Sequence, residues 1–187
     1  MRDRRACESY NDAVRTVVLD PAPAEFEALL ERRRALGQDL FDEVWEGEYH
    51  MAPAPHPFHG YVDQQLAVLL EPPAKRVGLV GTGVFNLGSP DDYRVPDRGL
   101  HRELPTTVFV PTAAVVIEIV SPGDETWNKI DFYAAHSVDE LLIVDPGKRS
   151  VTWLLLEAGR YAEAESSPLL GVGPAWLAGQ IAWPAAN

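Results

Sequence analysis

One carboxylate, Glu118, stands in the most apolar stretch of the chain, residues 113–120 (AAVVIEIV). This stretch is β-branched and apolar on both faces, which is typical of a central, buried strand. A buried carboxylate without a partner is energetically costly, so it needs a cation, a metal ion or a proton of its own. A functional carboxylate is therefore the favoured interpretation, and an edge position or a salt bridge to an arginine is the alternative.

A lysine follows Glu118 at a distance that suits a joint site. Lys129 comes eleven residues later, on a predicted helix that folds back over the same sheet. Lys129 and Tyr133 are four residues apart and project from one helical face, which could point toward the end of the strand that carries Glu118. A lysine on a helix is usually just a solvated charge, and the nearby buried glutamate is what favours a functional role.

Asp97 completes a possible acidic pair, because it follows Pro96 and precedes Glu118 by 21 residues. A turn aspartate after proline is the alternative interpretation. Two carboxylates at neighbouring strand ends bind one or two hard divalent cations through oxygen. Such a metal activates water and stabilises the transition state of phosphodiester cleavage. A lysine beside the attacking water can orient it, lower its pKa or neutralise developing charge.

A strand–helix–strand unit must position these side chains. The pattern predicts a strand at 113–120, a turn at 121–124, a helix at 125–136 and a second apolar strand at 140–144. Asp124 is placed to cap the helix at its N-terminus. A unit of this length is an α/β crossover. We expect its helix to turn four side chains inward, namely Trp127, Ile130, Tyr133 and Ala134.

The remaining segments predict further elements around this unit. Residues 1–20 are expected to form a flexible N-terminal arm, and residues 21–187 a single domain. Helices are predicted at 21–36, with Phe26, Leu29, Leu30 and Leu36 at helical spacing, and at 59–70. Strand signals fall at 43–51 (a strand or a bent pair around Gly47), in the Gly-rich stretch 76–87, and in a closing hairpin at 150–156 and 160–164. We expect the tail, with Trp176 and Trp183, to pack on the sheet.

Charge limits the function classes. The chain has 187 residues, with 16 Lys and Arg against 28 Asp and Glu, a net charge of −12. This excludes a basic protein that coats phosphates with its own charge. It does not exclude an enzyme that meets phosphate through a metal ion. The single cysteine, Cys7, allows no internal disulfide. We expect a cytoplasmic protein, because the N-terminus lacks the apolar core of a secretory signal and the apolar runs are too short for a membrane helix.

Four segments of the sequence resemble a known family. They are EVWEGEYHM, HPFHGYVDQQLAVLL, VPDRG and VVIEIVSPGDETWNKIDFYAAHSVDELLIVDP, and together they cover most of residues 40–150. The resemblance is to the Uma family of restriction-endonuclease-like proteins, within the PD-(D/E)XK phosphodiesterase superfamily. It implies an α/β restriction-endonuclease-like core, with a mixed central β-sheet flanked by helices, and a site for Mg²⁺ or Mn²⁺.

The resemblance also implies roles for particular residues. Asp97 matches the aspartate of the Pro-Asp motif, and Glu118 matches the second carboxylate. The superfamily lysine normally stands two residues after that carboxylate, where this chain has Val120. The family resembles a variant in which the lysine has moved to the following helix, here Lys129. Glu48 matches an acidic position near the N-terminal strand and is a candidate accessory metal ligand, with Glu43 and Glu46 as rivals.

Three histidines, His50, His56 and His59, lie within ten residues of one another. Their spacing across three prolines matches no helical histidine pair, which disfavours a dedicated histidine metal site. His59, at the start of a predicted helix, could still face the cleft.

The favoured hypothesis is a metal-dependent endonuclease acting on DNA as a homodimer. In it, Asp97 and Glu118 bind the metal and Lys129 positions the attacking water. A non-catalytic binding or regulatory module on the same fold is the alternative, and a small-molecule hydrolase is a third possibility. The excess of negative charge predicts weak affinity for bare DNA and a strong dependence on divalent ions.

Overall fold

The computed structural model describes residues 24–52, 54–121, 123 and 125–185. The predicted arm at 1–20 and the predicted cap Asp124 lie outside these ranges. The strands are β1 (Glu43–Trp45), β2 (Glu48–His50), β3 (Val80–Thr82), β4 (Asn86–Ser89), β5 (Asp92–Arg94), β6 (Arg98–His101), β7 (Phe109–Val110), β8 (Val115–Ile119), β9 (Glu140–Asp145), β10 (Ser150–Glu157) and β11 (Arg160–Glu163). The helices are α1 (Ala24–Ala35), α2 (Pro57–Arg76), α3 (Ile130–Ala135) and α4 (Pro174–Gln180), with a 3-10 helix at Thr126–Lys129 before α3.

The strands form two mixed sheets. The larger has six strands in the order β11-β10-β9-β8-β6-β3, and only its β8–β9 pair is parallel. The smaller has five strands in the order β2-β1-β5-β4-β7, and its β4–β7 pair is parallel. The predicted α/β class, with mixed strands flanked by helices, is therefore confirmed. The strands are divided between two sheets, whereas one central sheet was expected.

Strand β8 separates two apolar clusters, because its side chains alternate between the two faces of the sheet. Val115, Ile117 and Ile119 belong to a core that includes side chains of α2 and α4. Val116 belongs to the other cluster, together with Tyr133 of α3. All five residues of β8 are buried, as the apolar pattern of both faces predicts. Glu118 shares its face with Val116 and so points toward α3.

The predicted helix at 125–136 divides into the 3-10 turn and α3. Thr126 and Tyr133 are buried. Lys129 lies three residues after Thr126 and four before Tyr133, so the three side chains share the inward face of this segment. Trp127 lies off this face and is 49% exposed, so the prediction that it points inward is wrong.

The other helices differ from prediction at their ends. Helix α2 begins at Pro57 and continues through Pro72 and Pro73 to Arg76, six residues past its predicted end. The β-leaning stretch 76–87 consequently holds only β3 and the start of β4. Helix α1 buries Phe26 but exposes Leu29, and Leu36 just after the helix is exposed as well, so the apolar spacing does not mark a buried stripe. In the tail Trp183 packs on the larger core, whereas Trp176 is 43% exposed. No helix in the described ranges has the length and apolarity to cross a membrane.

Candidate active site

Asp97 and Glu118 are brought together by the antiparallel pairing of β6 with β8. The register pairs Arg98 with Ile117, so Asp97, just before β6, comes opposite Glu118. The backbone N–H of Ile119 donates to Asp97 Oδ2 at 2.7 Å and fixes that carboxylate at the end of the strand. The two predicted carboxylates therefore lie at neighbouring strand ends.

The carboxyl group of Glu118 is held by two side chains from the segment that folds over it. Glu118 is only 3% exposed. The hydroxyl of Tyr133 donates to its Oε1, and Lys129 Nζ lies 3.4 Å from the same oxygen. Burial raises the pKa of Glu118 to about 8, since the charge of Asp97 adds to the rise and the ammonium of Lys129 opposes it only in part.

Lys129 bridges two acidic side chains. Its Nζ donates to Glu43 Oε1 at 2.8 Å and lies 3.4 Å from Glu118 Oε1. Burial lowers the pKa of the ammonium, but the carboxylates of Glu118 and Glu43 outweigh burial, so the pKa of Lys129 is raised above its usual value. The lysine therefore stays charged and supplies a fixed positive charge beside Glu118.

Glu43 is the acidic residue of the first hairpin that reaches this site. Its Oε1 also accepts from the backbone N–H of Val95 at 2.7 Å, and its Oε2 accepts from Trp45 Nε1 at 2.7 Å. Glu46 occupies the tight turn with φ 51, and its N–H donates to Asp92.

Glu48 lies in β2, opposite Trp45. Among the described residues, no hydrogen bond or ion pair joins Glu48 to Lys129, Glu118 or Asp97. The structure thus brings the rival Glu43, and not Glu48, against Lys129.

Asp97 has a second partner in His59. The Nε2 of His59 lies 3.0 Å from Asp97 Oδ1, so this histidine does face the cleft. Burial lowers the pKa of His59, but the hydrogen bond and charge of Asp97 outweigh burial and raise it overall. His56 instead accepts the N–H of Phe58 at the start of α2, and His50 lies 3.4 Å from Glu125. The three histidines do not converge on one point.

The donor set suits a hard divalent cation. Within the described ranges, no group of three or more His, Cys, Asp or Glu side chains is arranged to hold a metal ion. Mg²⁺ is commonly bound through one or two carboxylates and keeps several waters, so a pair such as Asp97 and Glu118 matches the number of protein ligands that this ion commonly has. Both offer the oxygen donors that Mg²⁺ and Mn²⁺ prefer.

The fold is that of a nuclease-like α/β protein. A solved structure from Anabaena variabilis, described as "a putative nuclease belonging to DUF820", is similar with a TM-score of 0.59 and 16% identity, over 74% of this chain and 90% of that one. The model of the Uma2 family, described as "Putative restriction endonuclease", matches residues 23–175. The chain therefore belongs to the Uma2 family, which confirms the resemblance seen in the sequence. No curated protein matches the chain.

Three residues around the site were not predicted from sequence as part of it: Trp45, Arg94 and the hairpin partner His50. For Trp45 and His50 the sequence does contain a signal. The pair Glu46-Gly47 suits a two-residue turn, and such a turn fixes the register of its hairpin. That register puts Glu43 opposite His50 and, two residues along on the same face, Trp45 opposite Glu48.

Proposed function

We propose that this protein is a divalent-metal-dependent endonuclease that hydrolyses phosphodiester bonds of DNA. In this proposal Asp97 and Glu118 hold Mg²⁺ or Mn²⁺, and Lys129 positions the attacking water. The observation that carries it is the convergence of two strand-end carboxylates with a charged lysine, 3.4 Å from Glu118, in a chain of the Uma2 family. When bound, the divalent ion would supply electrophilic activation of the phosphate and a more acidic water.

The protein's own residues have separable tasks in this reaction. The Lys129 ammonium orients the water and stabilises negative charge that develops on the phosphate. Glu43 keeps the ammonium in place, because it accepts from Lys129 Nζ at 2.8 Å. Tyr133 holds Glu118 through its hydroxyl, and His59 holds Asp97. Each group that would contact metal or water is thus fixed by a neighbour.

The charge of the protein shapes the expected substrate interaction. A net charge of −12 opposes binding of a polyanion, so we expect weak DNA affinity without divalent ions. A homodimer and a cytoplasmic location stay predictions from the sequence. Light scattering in solution decides whether the protein is a homodimer.

The test is cleavage of plasmid DNA by purified protein with Mg²⁺ or Mn²⁺. We expect nicking by the wild type and a loss of about a hundredfold or more in Glu118→Gln, because one oxygen ligand becomes a neutral amide. Glu163→Gln, on the exposed part of β11, is the matched control and should cleave like the wild type. Cleavage by Glu118→Gln at the wild-type rate would overturn the assignment.

A specific observation also favours the non-catalytic alternative. Lys129 already lies between Glu43 and Glu118, and both oxygens of Asp97 already have protein partners. The polar atoms of the cluster therefore already have partners within the protein, as expected of a binding or regulatory module. Titration with Mg²⁺ separates the two functions: no heat of binding and no gain in thermal stability would favour the module.

A further inference from the structure

One face of the five-stranded sheet points toward the segment that carries Lys129. The side chains on this face include Glu43 and Trp45 of β1, His50 of β2 and Arg94 of β5. The segment they meet runs from residue 125 to residue 136. Glu43 contacts its middle at Lys129, and the other three side chains form a stack beside that contact.

Trp45 lies at the centre of this stack. Its ring lies parallel to that of His50, with 4.3 Å between the ring centroids and 17° between the planes. The guanidinium carbon of Arg94 lies 4.5 Å from the centroid of the Trp45 ring. The Nε1–H group of the Trp45 indole donates a hydrogen bond to Glu43 Oε2 at 2.7 Å. Both a stacking contact and a directed hydrogen bond therefore hold the indole in one orientation.

The stack contacts this segment on both sides of Lys129. Arg94 also lies 4.0 Å from the ring centroid of Phe132, which is on α3. At the other end, His50 Nδ1 lies 3.4 Å from Glu125, just before the 3-10 turn. Arg94 and His50 are both buried, whereas the side chain of Glu125 is 36% exposed. The smaller sheet is thereby tied to the segment on either side of the lysine.

We propose that Trp45 is a positioning residue for Lys129, acting through Glu43. The carboxylate of Glu43 is fixed at one oxygen by the N–H of Val95 and at the other by Trp45 Nε1. Without the indole N–H, Oε2 loses its partner, and the carboxylate is held only through Oε1, by the N–H of Val95 and the ammonium of Lys129. The ammonium then has a less rigid partner, so its place beside Glu118 is less tightly fixed. A displacement of about 1 Å at such a group is enough to lower a catalytic rate strongly.

The catalytic consequence rests on the proposed nuclease function, but the placement of Lys129 can be measured without it. The sequence has three lysines, and two of them serve as internal references. The side chains of Lys75 and Lys148 are 71% and 74% exposed, whereas that of Lys129 is 13% exposed. Acetylation by acetic anhydride, followed by peptide mass spectrometry, gives the rate at each lysine in one sample.

The test variant is Trp45→Phe, which keeps an aromatic ring in the stack and removes the N–H. We expect acetylation of Lys129, relative to Lys75 and Lys148, to rise about tenfold, the ratio that corresponds to one lost hydrogen bond to a charged group. Trp176→Phe, on α4, is the matched control and should leave the ratio unchanged. An unchanged Lys129 ratio in folded Trp45→Phe would overturn the proposal.

A second measurement covers the case in which Trp45→Phe does not fold. In that case the proposal is tested on the wild-type protein, by following the hydrogen exchange of its tryptophan indole N–H groups by NMR. We expect the Trp45 indole hydrogen to exchange at least about tenfold more slowly than those of the exposed Trp127 and Trp176, because it is bonded to a carboxylate. Equal rates at the three positions would overturn the proposal.

Cleavage assays separate this proposal from the function on which it rests. If the wild type cleaves DNA, Trp45→Phe should lower kcat, because it displaces Lys129 while both proposed metal ligands are kept. If the wild type cleaves no DNA, the proposed function fails, and the lysine reactivity still decides the positioning role. Cleavage with unchanged Lys129 reactivity in Trp45→Phe overturns the positioning role alone.

Discussion

Lys129 Nζ lies 3.4 Å from Glu118 Oε1, although the two residues belong to different elements of the fold. Glu118 is in β8, and Lys129 ends the 3-10 turn that follows it. The lysine lies eleven residues after the carboxylate in the sequence, and the turn that follows β8 folds it back against the buried side chain.

The ion pair between Lys129 and Glu43 predicts a large, non-additive effect on stability. Lys129→Met leaves the buried carboxylate of Glu43 without its counter-ion, so we expect a loss of about 3 kcal/mol in the free energy of unfolding. Adding Glu43→Gln removes that unpaired charge and should recover part of the loss. Urea unfolding of both single variants and the double variant measures this coupling. Additive effects of the two substitutions would contradict it.

The raised pKa of Glu118 predicts a pH dependence of stability in the metal-free protein. Burial raises this pKa to about 8, above the unfolded value of 4.5, so the native state holds a proton that the unfolded state has released. Stability is then fully present below the unfolded pKa and falls as pH rises toward the folded pKa. The glutamine side chain in Glu118→Gln cannot ionise, so the stability of this variant should not fall with pH in this way.

Thermal unfolding in EDTA tests the sign of that effect. Between about pH 5 and pH 9 the Tm of the wild type should fall relative to that of Glu118→Gln. Glu163→Gln, an exposed site on β11, controls for the loss of one negative charge and should follow the wild type. Two parallel Tm curves for the wild type and Glu118→Gln would show that Glu118 does not hold its proton.

Addition of a divalent ion is expected to stabilise the native protein through Asp97. At a Mg²⁺ concentration about tenfold above the dissociation constant, the gain is about 1.4 kcal/mol, because the ion binds only the folded site. Asp97→Asn should lose this gain, whereas Asp91→Asn, an exposed turn residue, should keep it. Differential scanning fluorimetry over a Mg²⁺ series measures it. A gain of equal size in Asp97→Asn would place the ion elsewhere.

A second buried carboxylate, Glu140, is expected to matter for stability and not for the site. Its oxygens accept from Trp153 Nε1 at 2.8 Å, from the hydroxyl of Ser167 and from the N–H of Leu169 at 3.0 Å. Glu140→Leu leaves these buried donors without an acceptor, so we expect a loss of about 3 kcal/mol. At temperatures below the Tm of Glu140→Leu, Lys129 of this variant should be acetylated as slowly as Lys129 of the wild type. Wild-type stability in Glu140→Leu would contradict the anchoring role.

Local patterns in the sequence were enough for the parts of the fold that have strong periodicity. The alternation in 113–120 correctly predicted a strand buried on both faces, with Glu118 on the face of Val116. The spacing of Lys129 and Tyr133 correctly placed both side chains on one face of the following helical segment. Such patterns work because side-chain direction repeats every two residues in a strand and every 3.6 in a helix.

The sequence by itself therefore determined the α/β class, the family resemblance, and the carboxylates and lysine that the structure brings together. Only the tertiary structure decided that Glu43, and not Glu48, contacts Lys129 and that Trp45 holds Glu43. It also decided that the strands divide into two sheets. The reason is that periodicity fixes which way a side chain points along its own element, whereas the partner it meets depends on how distant elements pack.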